Sequence, residues 1–322
     1  MRQFAKPTIV VSKCLEFDAC RYNGEMIPDV TIRNLQPFVT FIPVCPEVEI
    51  GLGTPRETIR IVEENGENRL VQPSTREDVT EKMEQFSNDF LQTISDVDGF
   101  ILKNRSPSCG TRDVKIYSGF EKAPAKGKGA GLFGGAVVKN FSYLPIEEEG
   151  RLSNFIIREH FFTRLFTIAY YKMLKHNKNM KELVSFQSDN KYLFMAYNQV
   201  KQKELGRIIA NQKNEKIEVV FENYEKTLYE LFMRAPRYTS NVNVCEHIFG
   251  YFKTKLKKQE KDHFIELLQK YAEKKIPLSS LLTILKSWAI RFDEKYLLRQ
   301  TYFEPYPEAL VEISDSGKGR DY

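Results

Sequence analysis

The chain has 322 residues, of which 42% are hydrophobic and 28% charged, with a formal net charge of +5. These values exclude a wholly disordered chain, and a length near twice the usual domain of roughly 150 residues points to two domains. No apolar run approaches the roughly 18 residues a spanning helix needs, and the opening MRQFAKPTIVV is too short and too polar for a signal peptide, so no membrane partner and a cytoplasmic location are expected. The five cysteines, an odd number without a secretory signal, argue for reduced thiols rather than a disulfide framework.

Cut at Gly150, the chain is asymmetric. Residues 1–150 hold 18 Lys/Arg against 22 Asp/Glu, and residues 151–322 hold 30 against 21, so the basic character belongs to the second half. Most glycines and four of the five cysteines belong to the first.

In the first half, PTIVVSKC, VTFIPVC and GFILKNRSPSC each read as a buried strand followed by a turn. An amphipathic helix is expected over 77–94, with Val79, Met83, Phe86, Phe90 and Ile94 at helical spacing. Strands alternating with helices predict an α/β domain over 1–150 with a mainly parallel sheet, whose ligands bind beyond the carboxyl ends of the strands. The segment GKGAGLFGG contains a literal GxGxxG at Gly129, Gly131 and Gly134. No strand is predicted before it and it lies late in the domain, and Lys128 is followed by Gly129 rather than Ser or Thr, so no nucleotide cofactor is expected. The segment reads instead as a flexible lid over the crevice.

Beyond Gly150 the period changes. Helical spacing over 155–176, 189–207, 216–234, 242–258, 260–274 and 278–290 predicts an all-α domain over 151–322. The tail from Ser314 to Tyr322 is polar and is expected to fray.

Cys14, Cys45 and Cys109 each stand within a few residues of a predicted strand end, far apart in sequence but on one edge of the sheet. All four histidines, His160, His176, His247 and His263, lie in the helical half, and no paired CxxC knuckle exists. Converging soft thiolates without imidazole favour zinc or an iron-sulfur cluster, and three widely separated ones suit a four-iron cluster with one iron left open. Cys20 shares the first loop and is the candidate fourth ligand; Cys245 sits in a predicted helix and reads as packing.

VSKCLEFDACRYNG, PVCPEVEIGLGTPR and LKNRSPSCG resemble the three signature loops of the TudS family of thiouracil desulfidases, over most of residues 7–150. HFFTRLFTIAYYKMLKHN, HIFGYFK, IPLSSLLTILKSW and QTYFEPYP are similar to the YbgA-type helical domain, and the two together resemble the two-domain, RudS-type tRNA 4-thiouridine desulfidases. The resemblance implies a [4Fe-4S] cluster held by Cys14, Cys45 and Cys109, whose open iron binds the sulfur of a thiolated base. It also implies a catalytic carboxylate four positions beyond the second ligand, which is Glu49; Glu47 would then hold the loop by accepting backbone hydrogen bonds, with the order of the two left open. Ser106 and Ser108 bracket Pro107 and are candidates to orient substrate or water, or to bond turn amides. Arg21, Tyr22 and Asn23 follow the first ligand as substrate-binding candidates; the family usually has Asp where Asn23 stands, and an amide cannot act as a base. Arg56 is a candidate to hold a phosphate or pair with a carboxylate.

The basic helical half offers Lys172, Lys175 and Lys178, then His247, Tyr251, Lys253, Lys255, Lys257 and Lys258, as a tRNA-binding surface. The expected activity is removal of sulfur from 4-thiouridine in tRNA, giving uridine and sulfide. The alternatives are a desulfidase of free thiouracil or thionucleosides, and a non-catalytic, metal-stabilised RNA-binding protein.

Overall fold

The structure, a computed structural model, describes residues 2–94, 96–120, 123–211 and 214–312; the expectation for the tail 314–322 lies outside the described residues. The chain divides into two compact units, Met1–Ala169 with Pro307–Tyr322, and Tyr170–Tyr306.

The first unit contains the strands β1 (Thr8–Ser12), β2 (Thr40–Val44), β3 (Arg60–Glu64), β4 (Glu67–Gln72), β5 (Glu77–Asp78), β6 (Gly99–Leu102), β7 (Val114–Tyr117), β8 (Ala125–Gly129) and β9 (Ile146–Glu148). Between and after them run α1 (Val30–Leu35), α2 (Pro46–Glu49), α3 (Thr80–Thr93), α4 (Leu132–Phe141), α5 (Glu149–Leu152) and the start of α6 (Phe155–Asn177). The principal sheet has the order β2-β1-β6-β9, with every neighbouring pair parallel. Ile9, Val10, Val11, Phe100, Ile101 and Leu102 are fully buried, the unbroken apolar run of strands covered on both faces. The predicted α/β class is therefore the observed one. The chain leaves β1 toward β2 on one side and later places β6 on the other, so the order reverses around β1, the position at whose carboxyl edge open sheets of this kind bind ligands.

A second sheet, β5-β4-β3-β7-β8, was not expected from the sequence. Its β3–β4 hairpin turns through Asn65 and Gly66, with φ of 54° and 86°, the two left-handed positions that an Asn-Gly pair supplies. The helix expected over 77–94 begins later, at Thr80, because Glu77 and Asp78 pair with β4.

The glycine-rich segment is no lid. Ala125–Gly129 is strand β8 on β7, and Gly131 caps α4. The amides of Gly131, Leu132 and Gly134 donate to the carbonyls of Gly110 (2.7 Å), Pro107 (3.2 Å) and Ser108 (2.9 Å). A Cβ on Gly134 would lie 2.4 Å from the Cys109 carbonyl oxygen, so the glycine serves close approach of two backbones.

The second unit is all-helical, as predicted. It comprises the rest of α6, then α7 (Met180–Asp189), α8 (Lys191–Tyr197), α9 (Gln199–Ala210), α10 (Ile217–Leu231), α11 (Tyr238–Gly250), α12 (Lys258–Ala272), α13 (Leu278–Arg291) and α14 (Lys295–Leu298). The single helix expected over 189–207 is broken at Asn198, whose side chain accepts from the amides of Val200 and Lys201 and so caps α9. The core is aromatic: Tyr171 stacks on Tyr224 at 5.4 Å, and Trp288 meets Phe249, Phe252 and Phe264. Its buried hydroxyls are satisfied, Tyr171 by the Phe221 carbonyl and Tyr224 by Gln187. Cys245 is buried in this core beside the Tyr302 hydroxyl. Among the described residues no helix is long and apolar enough to cross a membrane.

Candidate metal and active site

Three adjacent parallel strands deliver three thiols. Cys14 lies two residues beyond β1, Cys45 directly follows β2 and precedes Pro46 at the start of α2, and Cys109 ends the loop that leaves β6. Cys45 and Cys109 are buried and Cys14 is half-buried. Each lies within electrostatic reach of the others: Cys14 feels Cys45, and Cys109 feels both.

Burial pushes the Cys14 thiol up to about 12, reinforced by Cys45 and opposed by the Lys103 ammonium. Burial also raises Cys109, against a hydrogen bond from Ser12 that lowers it. Cys20, buried on the same first loop, is pushed up to about 12 by burial and then by Cys45, and its carbonyl lies 3.8 Å from Cys45 Sγ. Buried thiols of this kind are inert as free nucleophiles. Among the described residues no group of three or more His, Cys, Asp or Glu could hold a metal ion. A single ion needs all its sulfur donors at about 2.3 Å from one point, whereas a cluster takes one thiolate on each of several irons. The soft donor set, two of its three thiols buried, fits the second arrangement in its chemistry.

Around the thiols the polar groups are tied together. Glu47 Oε2 accepts from Arg56 Nε at 2.8 Å and from Arg56 Nη2 at 2.5 Å, with the Arg56 side chain only 4% exposed. Glu47 Oε1 accepts from the Ser108 hydroxyl at 2.6 Å, and the Ser106 and Ser108 hydroxyls are 2.9 Å apart. Ser106 Oγ also accepts from the Cys109 amide at 3.1 Å. Arg56 donates further to the carbonyls of Cys20 and Gly53 at 3.0 and 2.9 Å. Glu47 thus holds its loop through a guanidinium and a hydroxyl rather than through backbone amides, and Arg56 pairs with a carboxylate instead of awaiting a phosphate.

Glu49 is exposed, at the end of α2, within electrostatic reach of Lys13. Arg21, Tyr22 and Asn23 form a turn of their own. Arg21 pairs with Glu25 at 3.4 Å and covers the exposed Tyr22 ring, and the Asn23 side chain donates to the Glu25 carboxylate and accepts from the Glu25 amide. The Tyr22 carbonyl accepts from the Arg56 amide at 2.8 Å, which joins this turn to the second loop.

Three participants escaped the sequence reading. Lys103 bonds both Asn104 and Glu149, and Glu149 accepts the Asn104 amide at 2.7 Å. Ser12 accepts the Lys103 amide at 2.9 Å. Lys103 was visible in LKNRSPSCG as a cation directly between a strand and a ligand loop; Ser12 and Glu149 carried no such mark.

The residues expected to contact tRNA lie on α6 and around α11. Lys175 pairs with Glu225 at 2.7 Å, and Lys255 pairs with Glu294. His247, Tyr251, Lys253 and Lys257 are exposed, with Lys253 over the Phe249 ring and Tyr251 stacked on Tyr296. Lys172 is half-buried on α6, three residues before Lys175.

Residues 9–149 match the family described as 2-thiouracil desulfurase, and residues 191–307 match DUF1722, a family described as of unknown function. Through its N-terminal part the chain belongs to the 2-thiouracil desulfurase family. It is 34% identical over 148 residues to the uncharacterized protein YbbK of Bacillus subtilis (strain 168), covering 44% of this chain and 95% of that one. It is 22% identical over 156 residues to the uncharacterized protein YbgA of Escherichia coli (strain K12), covering 48% and 92%. Among solved structures it is similar to the [4Fe-4S]-dependent thiouracil desulfidase TudS, at 26% identity and a TM-score of 0.37, over 46% of this chain and 93% of that one. A desulfidase-type N-terminal domain is thus joined to a YbgA-like helical region.

Proposed function

We propose that this protein is an iron-sulfur-dependent desulfidase that removes sulfur from 4-thiouridine in tRNA, leaving uridine and sulfide. The observation that supports this reading is the placement of Cys14, Cys45 and Cys109 just beyond three neighbouring parallel strands, within electrostatic reach of one another. These three residues would hold a [4Fe-4S] cluster with one iron left without a protein ligand. When bound, the cluster supplies a Lewis acid that draws electron density from the carbon-sulfur bond.

The chain's own residues supply the proton chemistry and the positioning. Glu49 is the base for water: it is exposed, whereas both oxygens of Glu47 are engaged by Arg56 and Ser108. The Ser106–Ser108–Glu47 chain of hydroxyls favours a second assignment, in which a proton leaves through Ser108 to Glu47. Arg21, Tyr22 and Asn23 border the substrate from the first loop. Residues 1–150 would carry the chemistry and residues 151–322 the RNA, whose backbone is read by shape while the target base is extruded. A free base needs no basic partner of this size. Exposed His247, Tyr251, Lys253 and Lys257 support that surface, while Lys175 and Lys255 already hold carboxylate partners.

The test is an anaerobic preparation assayed for iron, acid-labile sulfide and zinc, with sulfide release followed on 4-thiouridine-containing tRNA and on free thiouracil. Four irons with sulfide release from the RNA is the expected result. Release from the free base alone would move the substrate to thiobases, and stoichiometric zinc without turnover would replace the enzyme with an RNA-binding protein.

A further inference from the structure

A cavity of about 400 Å³ opens in the second unit, where α8 gives way to α9 and α10 leads into α11. Its lining includes Tyr197, Asn198, Glu230, Arg234, Arg237 and Ser240. Both arginines are exposed, and neither makes an ion pair or a side-chain hydrogen bond within the described residues. That sets them apart from Lys175, Lys178, Lys201 and Lys255 of the same unit, each of which is neutralised by a glutamate.

The two guanidinium groups belong to one short segment, Arg234-Ala235-Pro236-Arg237, in which Pro236 fixes a backbone angle and removes a donor. Two uncompensated cations held at one concavity repel each other until an anion lies between them. The carboxylate in the lining does not play that part. Glu230 is bonded by Lys201 at 2.5 Å, which holds its carboxyl below the usual range. The remaining polar groups add donors: the Ser240 hydroxyl, and the amide nitrogen of Asn198, whose oxygen is already taken by the amides of Val200 and Lys201 at 3.1 Å. The floor is firm, with Leu231 buried and the Tyr197 ring set edge-on against Phe232 at 4.7 Å. Guanidinium forks, a hydroxyl and an amide around one space suit a tetrahedral oxyanion, whose several oxygens accept from several directions, better than a planar carboxylate with two.

We propose that the concavity of Arg234 and Arg237 binds a phosphate group, carried either by an RNA backbone or by a free nucleotide. The proposal stands apart from the desulfidase reading, since phosphate recognition needs neither the cysteines nor a thiolated base.

The test uses the full-length protein with two probes that contain no sulfur, uridine 5′-monophosphate and a fluorescein-labelled unmodified transfer RNA, against the double variant Arg234→Gln/Arg237→Gln. The variant is expected to weaken at least one probe by about tenfold or more, and for the RNA to lower the slope of log affinity against log salt by about one to two. Weakened RNA with unchanged nucleotide assigns the phosphate to the backbone, and the reverse assigns it to a free nucleotide. Unchanged binding of both, or no binding of either by the unaltered protein, overturns the proposal. Should circular dichroism show that the glutamine pair does not fold, the charge-removing pair Arg234→Ser/Arg237→Ser is read by the same outcomes. A chain that binds phosphate here but releases no sulfide would sink the desulfidase reading and leave this one intact.

Discussion

Ser108 donates its hydroxyl to Glu47 Oε1 at 2.6 Å, a bond that crosses from the loop of the third candidate ligand to the helix that begins at the second. The other oxygen of Glu47 takes Arg56, and Arg56 reaches the Cys20 carbonyl of the first loop. One carboxylate and one guanidinium therefore fix the three thiol loops relative to one another.

Removing the cation should be costly. Arg56→Met leaves a carboxylate that is 12% exposed without its partner, and breaking a buried pair in this way costs about 3 kcal/mol or more. Urea unfolding of the metal-free chain measures it. Loss of less than about 1 kcal/mol, the range of a surface pair, would show that the pair does not hold the loops.

The two glutamates separate in kinetics. Glu49→Gln is expected to retain iron and lose turnover by about a hundredfold or more, the usual worth of a general base. Glu47→Gln should instead reduce iron content, because it weakens the tie between loops. Normal turnover by Glu49→Gln with a collapse in iron-replete Glu47→Gln would transfer the base to Glu47.

Thiol substitutions sort the ligands. Cys14→Ala, Cys45→Ala and Cys109→Ala are each expected to abolish iron binding, and Cys20→Ala to keep most of it. Loss of iron in Cys20→Ala would identify four protein ligands and close the open position on which the enzymatic reading depends.

Gly134→Ala should act on the site from behind. The added Cβ would stand 2.3 Å from the Gly110 carbonyl oxygen and 2.4 Å from that of Cys109, so the ligand loop must move. The expected outcome is destabilisation of about 1–3 kcal/mol with iron content reduced, although no ligand has changed. Gly127→Ala, which meets nothing within 4 Å, is the control and should be silent.

His160 gives the first unit an acid-side dependence. Burial and then the Arg164 charge push its imidazole down to about 3. The unfolded chain takes up this proton near pH 6.5 and the folded chain does not until about pH 3, so stability falls as pH drops through that window and is unaffected above it. The slope should approach about 1 kcal/mol per pH unit below about pH 6. His160→Gln should flatten it in urea titrations at a series of pH values; an unchanged slope would show that other groups carry it.

Much of this architecture was legible because it rests on period and punctuation. Apolar runs ending in Cys14, Cys45 and the Cys109 loop announced adjacent strand ends, and helical spacing announced the second unit. The β3–β4 hairpin was missed although Asn65-Gly66 marks it, because its strands are short and charged on the outer face. The break at Asn198 was missed because an N-cap inside a continuous apolar pattern looks like an ordinary polar position. At the site, the identities of the candidate thiols and carboxylates could be read, but the partners of Glu47 could not. Arg56 lies nine residues away and Ser108 sixty-one, and only folding brings them together.

The end of the described chain has a bearing on how the protein is made. Glu312 accepts from Asn34 through its side chain at 2.5 Å and from Arg158 through its carbonyl at 3.0 Å, so the first unit is completed by residues that follow the whole helical unit in sequence. During synthesis the segment bearing Cys14, Cys45 and Cys109 leaves the ribosome early, yet its last native contacts wait for some 140 further residues to emerge, an interval of about ten seconds or more at ordinary elongation rates. The nascent thiols must survive that interval in a unit that is not yet closed.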